Sequence, residues 1–151
     1  MKCPNCNSDD LKVIDTRTKK FFIRRKRQCL SCKCTFYTVE TIDLSEIRVQ
    51  KKNGSIQSFN RLKILKGLER CFNKINITEE ELNSVLENIE MEIYRKKINV
   101  ISAEEIGEIV LEHLNKVNGI AYLRFMSVYK RYTNVEEFLA EISKYLKEKS
   151  K

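Results

Sequence analysis

The chain has 151 residues and a mass of 17.9 kDa, with 29 Lys+Arg against 21 Asp+Glu and a formal net charge of +8. A content of 42% hydrophobic and 33% charged residues belongs to a folded chain of one medium or two small domains, not to a disordered one. No apolar run is long enough for a membrane span, and Met1-Lys2-Cys3-Pro4 opens without the apolar stretch of a secretory signal, so a cytoplasmic protein without a disulfide framework is expected.

Residues 1–44 carry 10 basic and 5 acidic side chains, and the stretch from Arg17 to Lys33 holds eight Lys/Arg and no acid. Short β-favouring runs at Lys12–Asp15, Phe21–Arg25 and Thr35–Val39 predict three strands. Large apolar residues are too few here to build a core, so another force must hold the region together. Cys3-Pro4-Asn5-Cys6 and Cys29-Leu30-Ser31-Cys32 supply it. Each knuckle offers two thiolates to one ion, and the pair completes the closed tetrahedral site of a structural Zn²⁺. Cys3, Cys6, Cys29 and Cys32 are therefore the expected metal ligands. A redox dithiol would need one such pair beside a βαβ pattern, which is absent. Cys34 is either a competing ligand or a spare thiol beside the site, and the second is the simpler reading.

Arg24-Arg25-Lys26-Arg27 runs directly into Cys29, so the metal would fix where these cations point. In an extended strand Arg24 and Lys26 face one way, Arg25 and Arg27 the other. A single-sign cluster of this kind attracts polyanions, and arginine can grip phosphate or the guanine edge. The rival use of such a ribbon is docking on another protein.

The second region opens with a hairpin. Ile47–Lys51 alternates, Asn53-Gly54 suits a type I′ turn, and Ser55–Phe59 returns. Lys51 and Lys52 beside the turn, with Lys63 just inside the next helix, form a plausible triphosphate seat, although surface hairpins often carry lysines. No Walker-type phosphate loop is present. Helical spacing then dominates: Leu62 to Ile75; Leu82 to Ile93 behind a Thr78/Glu81 capping box; Ile106 to Val117 behind Ser102/Glu105. Asn118-Gly119 reads as a helix end, followed by helices over Ala121–Tyr132 and Val135–Leu146. Cys71 and His113 fall on or beside apolar stripes and read as structural. No catalytic set can be assembled, so an enzyme is not expected.

Taken together, Met1-x-Cys3-Pro4-x-Cys6, Val13-Ile14-Asp15-Thr16-Arg17, Ile23-Arg24-Arg25-Lys26-Arg27-x-Cys29-x-x-Cys32 and Phe36-x-Thr38-x-Glu40 resemble the zinc ribbon of the NrdR family, bacterial repressors of ribonucleotide reductase genes. Val49-x-Lys51-x-x-Gly54, Phe59-x-x-x-Lys63, Glu105-Ile106-Gly107-Glu108-x-Val110 and Ala121-Tyr122-x-Arg124-Phe125-x-Ser127-Val128-Tyr129 are similar to that family's ATP-cone. Thr16 stands where the family has Ser, Thr35 for Arg, Asn118 for Asp and Met126 for a small residue. The segment between Arg17 and Ile23 is also shorter and lacks the usual glycine.

The resemblance implies an α+β chain: a small antiparallel zinc ribbon over 1–44, a mainly helical ATP-cone with a β-hairpin cap over 45–140, and a last-helix end and charged tail over 141–151. It implies one structural Zn²⁺, and ATP or dATP with Mg²⁺ held by Val49, Lys51, Lys52, Gln57 and Lys63. Arg17, Arg24, Arg25, Lys26 and Arg27 would face double-stranded operator DNA upstream of ribonucleotide reductase genes. The nucleotide would control a homo-oligomer, dimer, tetramer or larger, associated with the nucleoid. The alternative is a zinc-ribbon adaptor that docks on protein and carries a degenerate nucleotide site.

Overall fold

Residues 1–20 and 22–149 are described by a computed structural model, in which the chain divides into two units, Met1–Asp43 and Leu44–Lys151. The first unit is one antiparallel sheet in the order β1 (Leu11–Thr18), β2 (Phe22–Cys29), β3 (Thr35–Thr41). Phe21, expected to begin the second strand, lies outside the described residues, as do the last two residues of the expected tail. An extra residue on β1 between Val13 and Asp15 makes a bulge, which locally sharpens the twist of the sheet. Among the described residues of this unit, only Cys3 and Cys29 are fully buried apolar side chains, and none of them builds a hydrocarbon core.

The second unit begins with β4 (Arg48–Gln50) and β5 (Ile56–Ser58), the two arms of the hairpin. The turn differs from expectation. Gly54 donates its N–H to the Lys51 carbonyl, and within the turn only Gly54 has a positive φ, +81°. A type I′ turn needs positive φ at both central residues, so this is a type I turn closed by a glycine bulge. Asn53 keeps a negative φ and spends its side-chain oxygen on Ser55.

Five helices follow among the described residues: α1 (Arg61–Cys71), α2 (Glu79–Arg95), α3 (Ala103–Val117), α4 (Gly119–Tyr129) and α5 (Val135–Lys149). Their ends follow from caps. Thr78 and Glu81 form the reciprocal capping box as expected. Ser102 accepts from the Glu105 N–H, but the Glu105 carboxylate goes instead to Lys96 Nζ at 2.7 Å. Asn118 ends α3 and, through its side-chain oxygen, caps α4 at Ile120 and Ala121, so the expected break is a corner without a loop. α1 stops at Cys71, short of Ile75, and α4 stops before Tyr132.

A further strand, β6 (Val100–Ser102), was not expected. It pairs parallel to β4, Val49 opposite Ile101, giving the order β5-β4-β6. The core gathers under this sheet from Val49, Leu68, Leu86, Ile89, Ile93, Ile101 and Leu114, with Cys71 buried among them. His113 sits between α3 and α2, its Nε2 2.8 Å from Glu92, and is structural. The architecture is α+β, and no helix is long and apolar enough to cross a membrane among the described residues.

Candidate metal centre, basic strand and nucleotide cleft

The two knuckles of the first unit are built alike. In one, Cys3 N–H donates to Ser8 and Asn7 N–H returns to Cys3; in the other, Cys29 N–H donates to Cys34 and Lys33 N–H returns to Cys29. Asn7 and Lys33 both sit in the left-handed region, at φ 59° and 62°. The four Sγ atoms lie within 4.8 Å of one another, with Cys3 to Cys32 at 3.7 Å and Cys6 to Cys29 at 3.6 Å. A tetrahedral Zn²⁺ with Zn–S bonds of ~2.3 Å needs sulfurs ~3.8 Å apart. The donor set therefore fits zinc in both chemistry and spacing. The Asn5 side chain, and then the Cys34 backbone, draw the Cys32 thiol down, while the hydrogen bond shared with Cys32 pushes Cys6 up. Cys34 occupies the place of Ser8 in its knuckle and stands outside the cluster, which accounts for a thiol next to the site that is not one of the four.

The basic strand is β2. Arg17 pairs opposite Arg24, Arg25 lies between Thr16 and Thr38, Lys26 lies between Asp15 and Tyr37, and Arg27 is opposite Phe36. Arg25 forms an ion pair with Glu40, and Arg27 Nε donates to Thr38 Oγ1 at 3.0 Å. Arg17 pairs with Asp15 at 3.2 Å on an exposed surface. The Arg24 guanidinium carbon lies 3.9 Å from the Tyr37 ring centroid.

In the second unit, Val49, Gln57 and Lys63 meet at a cleft of about 220 Å³. β4 and β5 place Val49 opposite Gln57, and Lys63 Nζ donates to Gln57 Oε1 at 2.9 Å. Asn60 caps α1 beside them, and the first turn of α1 holds no acid, unlike those of α2, α3 and α5. That end of α1 therefore presents a helix dipole and a lysine to the cleft, an arrangement that suits an anion. The rest of the wall is apolar: Phe59, Ile64, Ile106, Val110 and Phe125 with the Tyr129 ring. Lys51 and Lys52 are not in the wall. Lys52 reaches Glu104 Oε1 at 3.0 Å, next to the lining residue Ala103, and Lys51 is at the hairpin end.

The α3 and α4 side of the cleft carries residues that no motif at the hairpin announces. Tyr129 donates its hydroxyl to the Glu104 carbonyl at 2.7 Å and stacks on Phe125 with centroids 5.6 Å apart. Burial first, and then the Glu108 carboxylate, pushes that hydroxyl up to about 12, so it remains a donor at neutral pH. Gly107 leaves room for this ring. Arg124, also on α4, donates to the carbonyls of Cys71 and Asn73 and so closes the C-terminal end of α1.

Comparison with known proteins places both units. Residues 1–40 match the family model described as "Transcriptional repressor NrdR-like, N-terminal domain", and residues 47–135 match "ATP cone domain". The chain is 40% identical to a transcriptional repressor NrdR of Caldicellulosiruptor saccharolyticus over 151 residues, 99% of each chain. It is 41% identical to that of Dictyoglomus thermophilum over 98% of this chain and all of the relative, and 36% identical to that of Thermosipho melanesiensis over 99% and 100%. The chain belongs to the NrdR family of transcriptional repressors. The four-cysteine cluster thus lies in an NrdR-like zinc ribbon, where it could hold one metal ion, and the cleft lies in an ATP-cone. The role of the family is regulatory and not enzymatic.

Proposed function

We propose that this NrdR-family chain is a zinc- and adenine-nucleotide-dependent repressor of ribonucleotide reductase genes, acting in the cytoplasm on operator DNA. The observation that carries the nucleotide half is the cleft, where an apolar slot ends at Lys63, Gln57 and the acid-free start of α1. Its volume is about 220 Å³, below the ~300 Å³ at which pockets for whole drug-sized ligands begin. The base and ribose enter the slot against Val49, Phe125 and Tyr129, and the phosphates lie outside it over Lys63. Lys52 exchanges Glu104 for the outer phosphates at the rim, and Lys51 joins it there with Mg²⁺ as their counter-ion. ATP and dATP act by favouring different homo-oligomers, since a ligand shifts an assembly only by binding its states unequally. The oligomer, a dimer, tetramer or larger, sets the spacing of several basic β2 strands on one duplex.

Fluorescence anisotropy on a duplex from upstream of the ribonucleotide reductase genes, against a scrambled duplex at fixed salt, tests this reading. Preference for the upstream duplex that differs between ATP and dATP, and disappears when zinc is stripped, is the expected result. Equal binding to both duplexes whatever the nucleotide would refute it and favour a protein-docking adaptor.

A further inference from the structure

We propose that DNA is met by one particular face of the β1–β3 sheet and that Tyr37 is the positioning residue on it, an inference that rests on the DNA-binding reading above and narrows it. Residues directly opposed in an antiparallel sheet project from the same side. The register therefore puts Lys12, Arg17, Arg24, Lys26 and Tyr37 on one side with a single acid, Asp15. Arg25 and Arg27 project from the other side, with Phe36, Thr38 and Glu40.

Burial and pairing separate the two sides. Tyr37 and Val39 are more than half exposed, whereas Phe36 and Thr38 are half-buried. Both cations of the second side are engaged, Arg25 by Glu40 and Arg27 by Thr38. Arg24 and Lys26 have no ion-pair partner among the described residues. They share the Tyr37 ring instead, Arg24 at 3.9 Å and Lys26 Nζ at 5.9 Å from its centroid.

A ring restrains a cation differently from a carboxylate. It holds the guanidinium by its face, leaves the N–H edge open, and does not neutralise the charge. Arg24 is thus held with its donors free for a phosphate or a guanine edge, and less side-chain freedom is lost on binding. Arg25, matched by Glu40, braces β2 against β3. Tyr37 falls at an unspecified position within the ribbon motif Phe36-x-Thr38-x-Glu40, so its contribution follows from the register and the ring contacts.

The test uses the full-length, zinc-loaded protein and the upstream duplex, with anisotropy measured across a salt series. Arg24→Ala is expected to weaken binding roughly 10-fold and lower the salt slope by about one. Tyr37→Leu, which keeps apolar bulk but removes the π face, is expected to weaken it roughly 3- to 5-fold with the slope unchanged, because no charge is lost. Tyr37→Phe keeps parent affinity, and Arg25→Ala keeps the parent slope. Zinc stoichiometry equal to the parent's shows that each variant is folded. Parent-like binding by Tyr37→Leu, or a slope lowered by Arg25→Ala and not by Arg24→Ala, would overturn the assignment of the face while leaving DNA binding intact. A parent protein that fails to bind the duplex would overturn the DNA reading itself, and this inference with it.

Discussion

Gly107 and Gly67 both line the cleft and both lie inside helices, yet adding one methyl group to each should have opposite effects. A Cβ on Gly107 would stand 2.7 Å from Tyr129 Cδ2 and closer still to Cε2 and Cζ. The ring cannot stay. Its displacement breaks the hydroxyl bond to the Glu104 carbonyl, worth ~0.5–1.5 kcal/mol, and the stack on Phe125, worth a further ~0.5–1.5 kcal/mol. Replacing a mid-helix glycine by alanine returns ~1 kcal/mol of helix propensity. Gly107→Ala should therefore destabilise the helical unit by up to about 2 kcal/mol, with about 1 kcal/mol as the central value. A Cβ on Gly67 meets nothing within 4 Å, so Gly67→Ala keeps the propensity gain and should stabilise by roughly 0.5–1 kcal/mol. Urea unfolding followed by far-UV circular dichroism reads both, with equal slopes showing that the unfolded states are comparable. A Gly107→Ala protein stabilised as much as Gly67→Ala would refute the geometry of the Gly107–Tyr129 contact. Both variants narrow the cleft, so both should bind ATP more weakly; parent-like affinity in both would move the nucleotide elsewhere.

Two further expectations concern the ends of helices. Arg124→Ala leaves the carbonyls of Cys71 and Asn73 without their donor and should cost about 1.5–3 kcal/mol, with faster amide exchange at the end of α1; exchange confined to α4 would contradict the link. Glu81 is held below its ordinary value of 4.5, first by the Thr78 N–H and then by the Thr78 hydroxyl. A depressed carboxyl contributes stability that is complete above about pH 4.5 and is lost as the pH falls through the folded value. Glu81→Gln should accordingly flatten the acid-side fall in the helical melting temperature, and identical pH profiles for the variant and the parent would count against the capping box as its source.

The clustering of Cys3, Cys6, Cys29 and Cys32 was legible because its determinants are local. Two closely spaced cysteines within one turn commit their sulfurs to a single point whatever the rest of the chain does, and a region without a core needs that point. The same locality made the Thr78–Glu81 box readable, because cap and partner lie within one helical turn. Ser102–Glu105 shows where this stops. The pattern is the same, but Lys96 arrives from the end of α2 and takes the carboxylate.

The remainder depended on pairings between distant parts of the chain. Val100–Ser102 is too short to announce itself as a strand, and it becomes one only because β4 offers an open edge beside it. Arg124 finds the end of α1 across more than fifty residues of chain, and Tyr129 finds the cleft from the far side of α3. Lys63 could be named from the start of the helix, but Val49 and Gln57 only through the resemblance to an ATP-cone. The apolar wall that meets them was decided by packing; strand alternation already separated Arg24 from Arg25, but that the one meets Tyr37 and the other Glu40 was decided by register. Periodicity identifies which face of an element is apolar or charged, but only the folded chain determines what that face meets.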